Sequence, residues 1–249
     1  MNEKFLAVLR VMTYNVHSCR GGDGKISPER IAGVIAAHNP DIVALQELKT
    51  SLKSHQAEII ARKLKMSFEY HPSLVVKEGR RGNAIFSKFP MKPVRNGTLP
   101  RLAWPPFLEP RGAMWVEIDA DGRKVQVINT HLSLLPAERF LQAEVLLGPD
   151  WAANPAFKGP AIFCGDFNAL PKSKVCARIE RVFKNAQLEL AGHRLLKTLP
   201  SFYPLRSVDH VFVGPGIQIV AIEVPKTPLE RISSDHLPLI AEVKLGISL

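Results

Sequence analysis

Six short segments of the sequence place carboxylates, amides or histidines beside apolar, strand-like runs. The segments are VMTYNVH, DIVALQEL, VQVINTHL, AIFCGDFN, SVDHVFV and SSDHLPLI. The polar residue lies at or just after the end of each run, except that Asp209 precedes its run, as suits a strand of opposite direction in a mixed sheet. Because sites in layered α/β proteins assemble at strand ends, we interpret the segments as parts of one site.

Each segment taken alone has a simpler interpretation. A glutamate after a strand is usually solvated, and Asp-His or Asn-Thr-His sequences are common in turns and caps. Two of the segments carry polar residues two positions apart, namely Asn129 with His131 and Asp166 with Asn168. That spacing places both side chains on one face of an extended chain. The occurrence of polar residues beside apolar runs in all six segments favours one functional site over six separate turns.

The residue types are those that metal-assisted cleavage of a phosphoester needs. Glu47 offers a hard oxygen ligand for Mg²⁺ or Mn²⁺, and no cluster of thiolates indicates zinc. His131 and His236 can donate to phosphate oxygens or transfer protons near neutral pH, and Asp209 can orient a histidine. The asparagines are neutral donors that hold a phosphoryl oxygen or a water without adding negative charge.

In this order, the segments TYNVH, ALQEL, GNAIFS, INTHL, GDFN, VDHVFV and SSDHLPL resemble the endonuclease/exonuclease/phosphatase superfamily. Its members include DNase I, exonuclease III-type nucleases, neutral sphingomyelinases, inositol-polyphosphate 5-phosphatases and deadenylases. The resemblance extends from Thr13 to about Val243. It implies an α/β fold of the DNase I-like type, a four-layer αββα sandwich. In it two mixed, mainly antiparallel sheets pack face to face with helices outside.

The resemblance also implies roles for individual residues. The implied metal ligands are Glu47 with Asn15 beside it and Asp235 of the terminal Asp-His pair, and the implied catalytic residues are His131, Asp166, Asn168, Asp209 and His236. We expect Asp166 and the His236–Asp209 pair to handle the attacking water, while His131 and Asn168 stabilise the developing charge. Exonuclease III-type members carry a tyrosine-bearing segment where this chain has His131, which argues against abasic-site activity.

Residues 1–249 are expected to form one α/β domain of many strands and few helices. The predicted strands are Leu9–Val16, Asp41–Gln46, Asn83–Ser87, Met114–Ile118, Val125–Thr130, Pro160–Cys164, Val208–Val213, Gln218–Glu223 and Leu237–Lys244. Helices are predicted from Pro28 to Asn39, over Ser51–Lys65, from Pro136 to Gly148 and over Lys174–Phe183. The proline-rich segment Arg95–Arg111 is predicted to be irregular.

Four further residues are candidates for substrate binding: Asn129, Arg81, Arg111 and Trp104. Trp104 and Phe107 lie in the segment LAWPPFLEPRG, where they can stack on a base, touch lipid or cover a sheet edge. Arg81 lies in RRGNA, either near a phosphate or in a solvated turn.

The overall charge agrees with an anionic substrate. The 33 Lys and Arg against 23 Asp and Glu leave a net charge of +10, which favours polyanionic partners. The three cysteines form no disulfide or zinc pattern, the N-terminus has no secretory signal, and no apolar run is long enough for a membrane span. We therefore expect a cytoplasmic protein, and the sequence predicts no protein partner.

The leading hypothesis is a Mg²⁺- or Mn²⁺-dependent phosphodiesterase acting on DNA or RNA, or on a lipid or small-molecule diester. A second is a phosphomonoesterase of the inositol-polyphosphate phosphatase kind. It ranks lower because LSLLP, directly after His131, lacks the lysines and arginines expected of such an enzyme. A third, a non-catalytic polyanion-binding module, conflicts with the complete set of acids, amides and histidines.

Overall fold

Twelve strands and six α-helices of the described residues build two sheets with helices outside. The structure, a computed structural model, describes residues 8–51, 54–190, 192 and 194–246. The strands are β1 (Val8–Asn15), β2 (Ile42–Thr50), β3 (Ser67–Val76), β4 (Gly79–Ser87), β5 (Met91–Thr98), β6 (Gly112–Ala120), β7 (Arg123–His131), β8 (Ala161–Asp166), β9 (Lys184–Asn185), β10 (Asp209–Val213), β11 (Ile217–Glu223) and β12 (Leu239–Leu245). The helices are α1 (Pro28–His38), α2 (Gln56–Leu64), α3 (Pro136–Leu146), α4 (Lys174–Ile179), α5 (Ala186–Glu189) and α6 (Pro228–Ser233).

Each sheet has six strands with a parallel pair near its centre. The orders are β11-β12-β1-β2-β4-β3 and β5-β6-β7-β8-β10-β9. β1 pairs in parallel with β2, and β7 pairs in parallel with β8, while the other neighbours are antiparallel. α1 connects the first parallel pair and α3 the second, since a parallel pair needs a crossover connection.

Three apolar layers separate the sheets from each other and from the helices. Along β1, Leu9 and Val11 join the cluster between the two sheets, whereas Met12 and Tyr14 join a cluster with α1 and α2. Residues of α3 and α4 pack on the outer face of the second sheet. This two-residue alternation confirms the predicted four-layer αββα sandwich.

Helix boundaries follow local capping signals. The Ser27 hydroxyl accepts a hydrogen bond from Arg30 N at 3.1 Å, Pro28 opens α1, and Asn39 ends it in the left-handed region with φ +46°. The predicted helix over Ser51–Lys65 begins only at Gln56, and residues 52 and 53 lie outside the described residues. α4 stops at Ile179, before the predicted end at Phe183. None of the helices in the described ranges is long and apolar enough to cross a bilayer.

The three strands that the sequence analysis missed, β3, β5 and the two-residue β9, are all edge strands. β3 and β5 lie at the ends of their sheets, and none of their residues is buried. Each contains a proline beside a register shift, Pro72 in β3 and Pro93 in β5, which an edge strand tolerates. The prediction that Arg95–Arg111 is irregular was therefore wrong for residues 95–98, which belong to β5.

The central strands bring the polar residues to one edge. β1, β7 and β8 end there at Asn15, His131 and Asp166. The antiparallel neighbours β10 and β12 begin at the same edge, and Asp209 is the first residue of β10, so it lies at the start of a strand but within it and not before it as predicted. Asp235 and His236 lie between α6 and β12, so they precede that strand and do not follow one as predicted.

A buried histidine supports the turn that follows β8. His210 Nε2 lies 2.8 Å from Ala169 O, and Asn185 Nδ2 lies 3.3 Å from His210 Nδ1. Since a carbonyl oxygen only accepts, Nε2 carries the proton and Nδ1 accepts from the amide. This arrangement is satisfied only while the ring is neutral, and burial lowers the pKa of His210 below its usual range.

We expect His210 to make the protein less stable in acid. Its pKa is lowered on folding, so the unfolded chain takes up a proton below its pKa of about 6.5 and the folded chain does not. The free energy of unfolding should therefore fall as the pH drops below that value, by at most about 1.4 kcal/mol per pH unit. His210→Gln keeps both hydrogen bonds without titrating, so its loss of stability in urea unfolding should be smaller. Equal losses in both proteins would contradict this role.

Candidate active site

Asp166 is held between the sheets by the glycine before it. Gly165 has φ +144°, and a Cβ atom there would lie 1.9 Å from Thr130 O of the neighbouring strand. Only glycine allows this approach of β7 and β8. After Asp166 the chain turns, and Asn168 adopts φ +50° while its N–H donates to Asp166 Oδ1 at 2.9 Å. The two side chains converge through this turn, because β8 ends at Asp166 and the extended spacing that we predicted does not continue to Asn168.

Glu47 reaches the site through a bulge inside β2. The register of β2 against β4 shifts between Leu45 and Leu48, and Glu47 has φ +63°. The shift returns Leu48 to the helix-facing layer and turns Glu47 inward. The prediction that a strand ends before Glu47 was wrong, since β2 continues to Thr50. A left-handed backbone at a non-glycine residue is costly and is typical of functional sites.

Three buried side chains form a chain of alternating charge. His236 Nδ1 lies 2.9 Å from Asp209 Oδ2, and His236 Nε2 lies 3.7 Å from Asp166 Oδ2. Burial by itself disfavours the imidazolium, but Asp209 and Asp166 outweigh it and raise the pKa of His236 to about 10. Burial also raises the pKa of Asp166, to about 6, although the charge on His236 opposes that rise. Near neutral pH the chain is carboxylate, imidazolium, carboxylate.

The same three residues have ligand atoms within 4.8 Å of one another, so their spacing alone would also suit a metal. In this structure His236 Nδ1 is engaged by Asp209, and the two carboxylates favour the charged ring, so we describe the cluster by its hydrogen bond and ion pairs. Asp209 is fully buried and acts through His236 as a positioning residue.

His131 lies between hydrogen-bond donors and carboxylates. Arg111 Nη1 lies 3.2 Å from its Nδ1, and Asn168 Nδ2 lies 3.1 Å from its Nε2 and donates to Leu132 O at 3.0 Å. Asp166 Oδ2 lies 3.4 Å from Nε2, and Glu47 Oε1 lies 3.8 Å from Nδ1. Burial lowers the pKa of His131 well below its usual range, with Arg111, His236 and Arg81 adding to the effect. A neutral ring has one donor and one acceptor nitrogen, and Asp166 with Arg111 supplies a partner for each.

Arg81 and Arg111, both predicted to bind substrate, lie in the site and share a carboxylate that the sequence analysis missed. Arg81 pairs with Glu109 and with Glu47 Oε2, the latter at 3.2 Å. Arg111 is nearly buried, and its Nη1 lies 3.3 Å from Glu109 Oε2. Glu109 belongs to the irregular segment before β6, where no periodic pattern marks a site residue. Its position between two arginines is visible only in the folded chain.

Asn15 positions carboxylates in this structure. Its Nδ2 lies 3.3 Å from Glu47 Oε1 and 3.0 Å from Asp166 Oδ2, while its Oδ1 accepts the His17 N–H at 3.0 Å. The amide oxygen therefore faces the backbone, which differs from the predicted role as a metal ligand. His17, missed by the sequence analysis, adopts φ +46° and contacts Asp235, with Nδ1 to Oδ1 at 3.8 Å.

Two predicted substrate-binding residues do not line the cleft. Asn129 is fully buried, where its Nδ2 donates to Leu45 O at 3.0 Å and Ala84 O at 2.9 Å, and its Oδ1 accepts from Gln46 Nε2 at 2.8 Å. It joins the two sheets behind His131 and has no free group for a ligand. Trp104 is 77% exposed on the segment that borders the cleft, and its neighbour Phe107 lines the cleft instead.

Most of these side chains line an open cleft with a volume of about 410 Å³. Its polar lining consists of Asn15, His17, Glu47, Arg81, Glu109, Arg111, His131, Ser133, Asp166, Asn168, Asp235 and His236, and its apolar lining of Phe107, Leu108, Leu134 and Leu199. With Asp209 behind it, the cleft has five carboxylates against three cationic groups. This excess of negative charge would repel a phosphate, and a divalent cation would neutralise it. The all-oxygen donors of Glu47 and Asp235 fit Mg²⁺ or Mn²⁺.

Comparisons with known proteins agree with this architecture. The family described as "Endonuclease/Exonuclease/phosphatase family" matches residues 12–236. YbhP of Escherichia coli (strain K12) is 27% identical over 256 residues, which cover 95% of this chain and 96% of YbhP. The endonuclease/exonuclease/phosphatase from Bacteroides vulgatus has a similar structure, with a TM-score of 0.78, 22% identity and coverage of 96% and 99% of the two chains. The human Nocturnin catalytic domain has a TM-score of 0.72, 23% identity and coverage of 96% and 93%.

Proposed function

The chain belongs to the endonuclease/exonuclease/phosphatase family, a family of phosphoester hydrolases, and we propose that it is a divalent-metal-dependent phosphodiesterase. One juxtaposition carries the proposal. The buried carboxylate of Asp166 can accept a proton from water, and it lies 3.4 Å from the Nε2 atom of His131, a side chain that Arg111 and Asn168 also contact. A phosphoryl oxygen placed beside His131 would have these N–H donors on one side and the base that activates the attacking water on the other.

The proposed roles of the side chains follow from their contacts. Asp166 orients the water and takes its proton, and Asn15 and the Asn168 N–H hold that carboxylate in place. His236, held by Asp209, donates its Nε2–H to a phosphoryl oxygen and stabilises the charge that develops there. Glu47 and Asp235 are the proposed metal ligands, and a divalent ion bound by them supplies Lewis-acid stabilisation of that same charge.

The charge balance of the cleft favours a diester over a monoester. A phosphomonoester carries close to two negative charges at neutral pH, whereas a diester carries one. Arg81 and Arg111 are already matched by Glu47 and Glu109, so a bound divalent cation brings the cleft only to approximate neutrality. No cationic side chain in the cleft is left over for the second charge of a monoester.

We expect Asp166→Asn and His236→Gln each to lower kcat for a soluble aryl phosphodiester by roughly 10²-fold or more. The first variant removes the proton acceptor, and the second removes the charged donor to the phosphoryl oxygen. Initial rates with Mg²⁺ or Mn²⁺ measure the effect, and urea unfolding checks that each variant is folded. A rise in KM with kcat unchanged would show that these residues only bind substrate.

Glu47→Gln should abolish hydrolysis that depends on added Mg²⁺ or Mn²⁺, because it removes the carboxylate proposed to bind the metal. Titration calorimetry with Mn²⁺ alone should show binding at least about tenfold weaker than in the wild type. Glu78→Gln is a matched control, since Glu78 lies outside the cleft on an exposed turn and pairs only with Lys49. Unchanged Mn²⁺ affinity in Glu47→Gln would remove Glu47 from the metal site.

Glu109→Gln should shift selectivity toward monoesters, because it frees positive charge on both arginines. We expect inorganic phosphate to inhibit this variant about three- to tenfold more strongly, and the monoester-to-diester ratio of kcat/KM to rise by a similar factor. Glu78→Gln again serves as the control for loss of a carboxylate elsewhere. If phosphate inhibition is unchanged, Glu109 does not set the charge of the cleft.

A further inference from the structure

The most exposed of the large apolar side chains lie mainly around the cleft. Six large apolar side chains of the described residues are at least 67% exposed, and five of them, Trp104, Phe107, Leu134, Phe202 and Tyr203, lie on segments that border it. Only Val75 is elsewhere, on the edge strand β3. With Leu170 and Leu205, which are also exposed, these five residues form what we call the apolar rim.

The rim segments adjoin the catalytic residues directly. Phe107 and Leu134 line the cleft themselves. Leu199, also in the lining, begins a hairpin of residues 199–206 that closes by pairing with Arg206 and carries three rim residues at its tip. The hairpin is joined to the site because Ser201 N donates to Asp235 O at 2.7 Å. Leu170 follows Asn168 by two residues.

Hydrogen bonds hold these segments in place. Leu102 N donates to Glu138 Oε2 at 2.8 Å, and Gln142 Nε2 donates to Pro100 O at 3.0 Å, so α3 holds the segment that carries Trp104. Arg231 Nη1 donates to Phe202 O at 2.6 Å, which ties the hairpin to α6. These hydrogen bonds hold the backbone in a conformation in which the apolar side chains remain exposed to water. Exposed apolar patches of this kind mark surfaces that bind a partner or a membrane.

Four exposed side chains on the rim segments are basic, whereas the exposed Asp235 lies inside the cleft that they surround. Arg101, Lys172, Lys197 and Arg206 are exposed on the rim segments, each within a few residues of an apolar tip or at the base of one. Glu109, on the same segment as Trp104, is paired with Arg81 and Arg111. Aromatic and leucine side chains flanked by lysine and arginine suit the interface of an anionic bilayer, where the apolar parts enter the acyl boundary and the cations meet headgroup phosphates.

We propose that the apolar rim docks this protein on the surface of an anionic phospholipid membrane, with the cleft facing the headgroups. Three of the seven rim residues are leucines, which can enter an acyl boundary but do not stack on bases as aromatic side chains do. The inference of docking depends only on the apolar rim and the basic side chains beside it. The inference that a headgroup phosphodiester is the substrate depends in addition on the proposed phosphodiesterase function.

Trp104 reports on docking by its own fluorescence. The chain has three tryptophans, and Trp115 and Trp151 are buried, so Trp104 is the one that solvent reaches. Vesicles of equimolar phosphatidylcholine and phosphatidylglycerol should shift its emission to the blue and protect it from acrylamide, while phosphatidylcholine vesicles alone should do so less. Trp104→Phe should lose the spectral shift and still bind. No shift with the mixed vesicles at low ionic strength would overturn the proposal.

Vesicle sedimentation tests the rim independently of Trp104. Phe202→Ser with Tyr203→Ser should lower the partition coefficient for the mixed vesicles by at least about tenfold, because two large apolar side chains no longer enter the bilayer. Val75→Ser is the matched control, since Val75 is equally exposed but lies away from the cleft, and its partitioning should equal that of the wild type. Equal partitioning of the double variant and the wild type would contradict docking through the rim.

Two further measurements separate the remaining alternatives. If a single-stranded oligonucleotide binds with a loss in Phe202→Ser/Tyr203→Ser while the mixed vesicles do not bind, the rim is a nucleic-acid surface and the proposal is wrong. Hydrolysis of the soluble aryl phosphodiester by the double variant should match that of the wild type. Vesicle binding without any such hydrolysis would refute the phosphodiesterase and leave the docking intact, so the two failures are distinguishable.

Discussion

A carboxylate buried between two sheets must be held by hydrogen bonds and by opposite charge, and Asp166 imposes that requirement on the whole edge of the molecule. It is 1% exposed, and its partners come from distant parts of the chain: Asn15 at the end of β1, the Asn168 N–H in the next turn, His131 from β7 and His236 before β12. An ionised carboxylate left without such partners is strongly disfavoured in a protein interior. The two sheets must therefore meet in one register for the site to exist.

The alternation of side chains along β7 and β8 explains how one face of each strand carries core residues in its middle and residues of the candidate site at its end. Val127, Asn129 and His131 project from the same face of β7, and Ile162, Cys164 and Asp166 from the same face of β8. The inner face is apolar in the middle of the sandwich, carries a polar bridge at Asn129, and ends in the catalytic groups. Because a rigid apolar core supports them, these groups are positioned before any ligand arrives.

Charge balance is the second organising feature of the cleft. The carboxylates outnumber the cationic groups, so the site as folded attracts a divalent cation, and the two arginines that could hold a phosphate are themselves paired with Glu47 and Glu109. This arrangement is the basis of the proposed preference for a substrate with one negative charge per phosphate. Around the cleft, exposed apolar side chains and exposed lysines and arginines are the basis of the proposed docking on an anionic membrane.

The sequence by itself determined the layered fold and the segments whose polar residues meet in the cleft. Strand ends such as Asn15, His131 and Asp166 follow buried apolar runs, and these patterns are local. It also singled out Arg81 and Arg111, which line the cleft. It could not predict the edge strands β3 and β5, because none of their residues is buried and their sequences therefore show no apolar period.

Only the tertiary structure decided the remaining roles. A one-residue bulge turns Glu47 inward, Asn129 joins the sheets behind the site, the Asn15 amide faces two carboxylates, and Glu109 arrives between two arginines from an irregular segment. Each of these depends on contacts between residues far apart in the chain. Local propensity contains no information about such contacts, because the direction of a side chain and its partner are set only when the two sheets pack together.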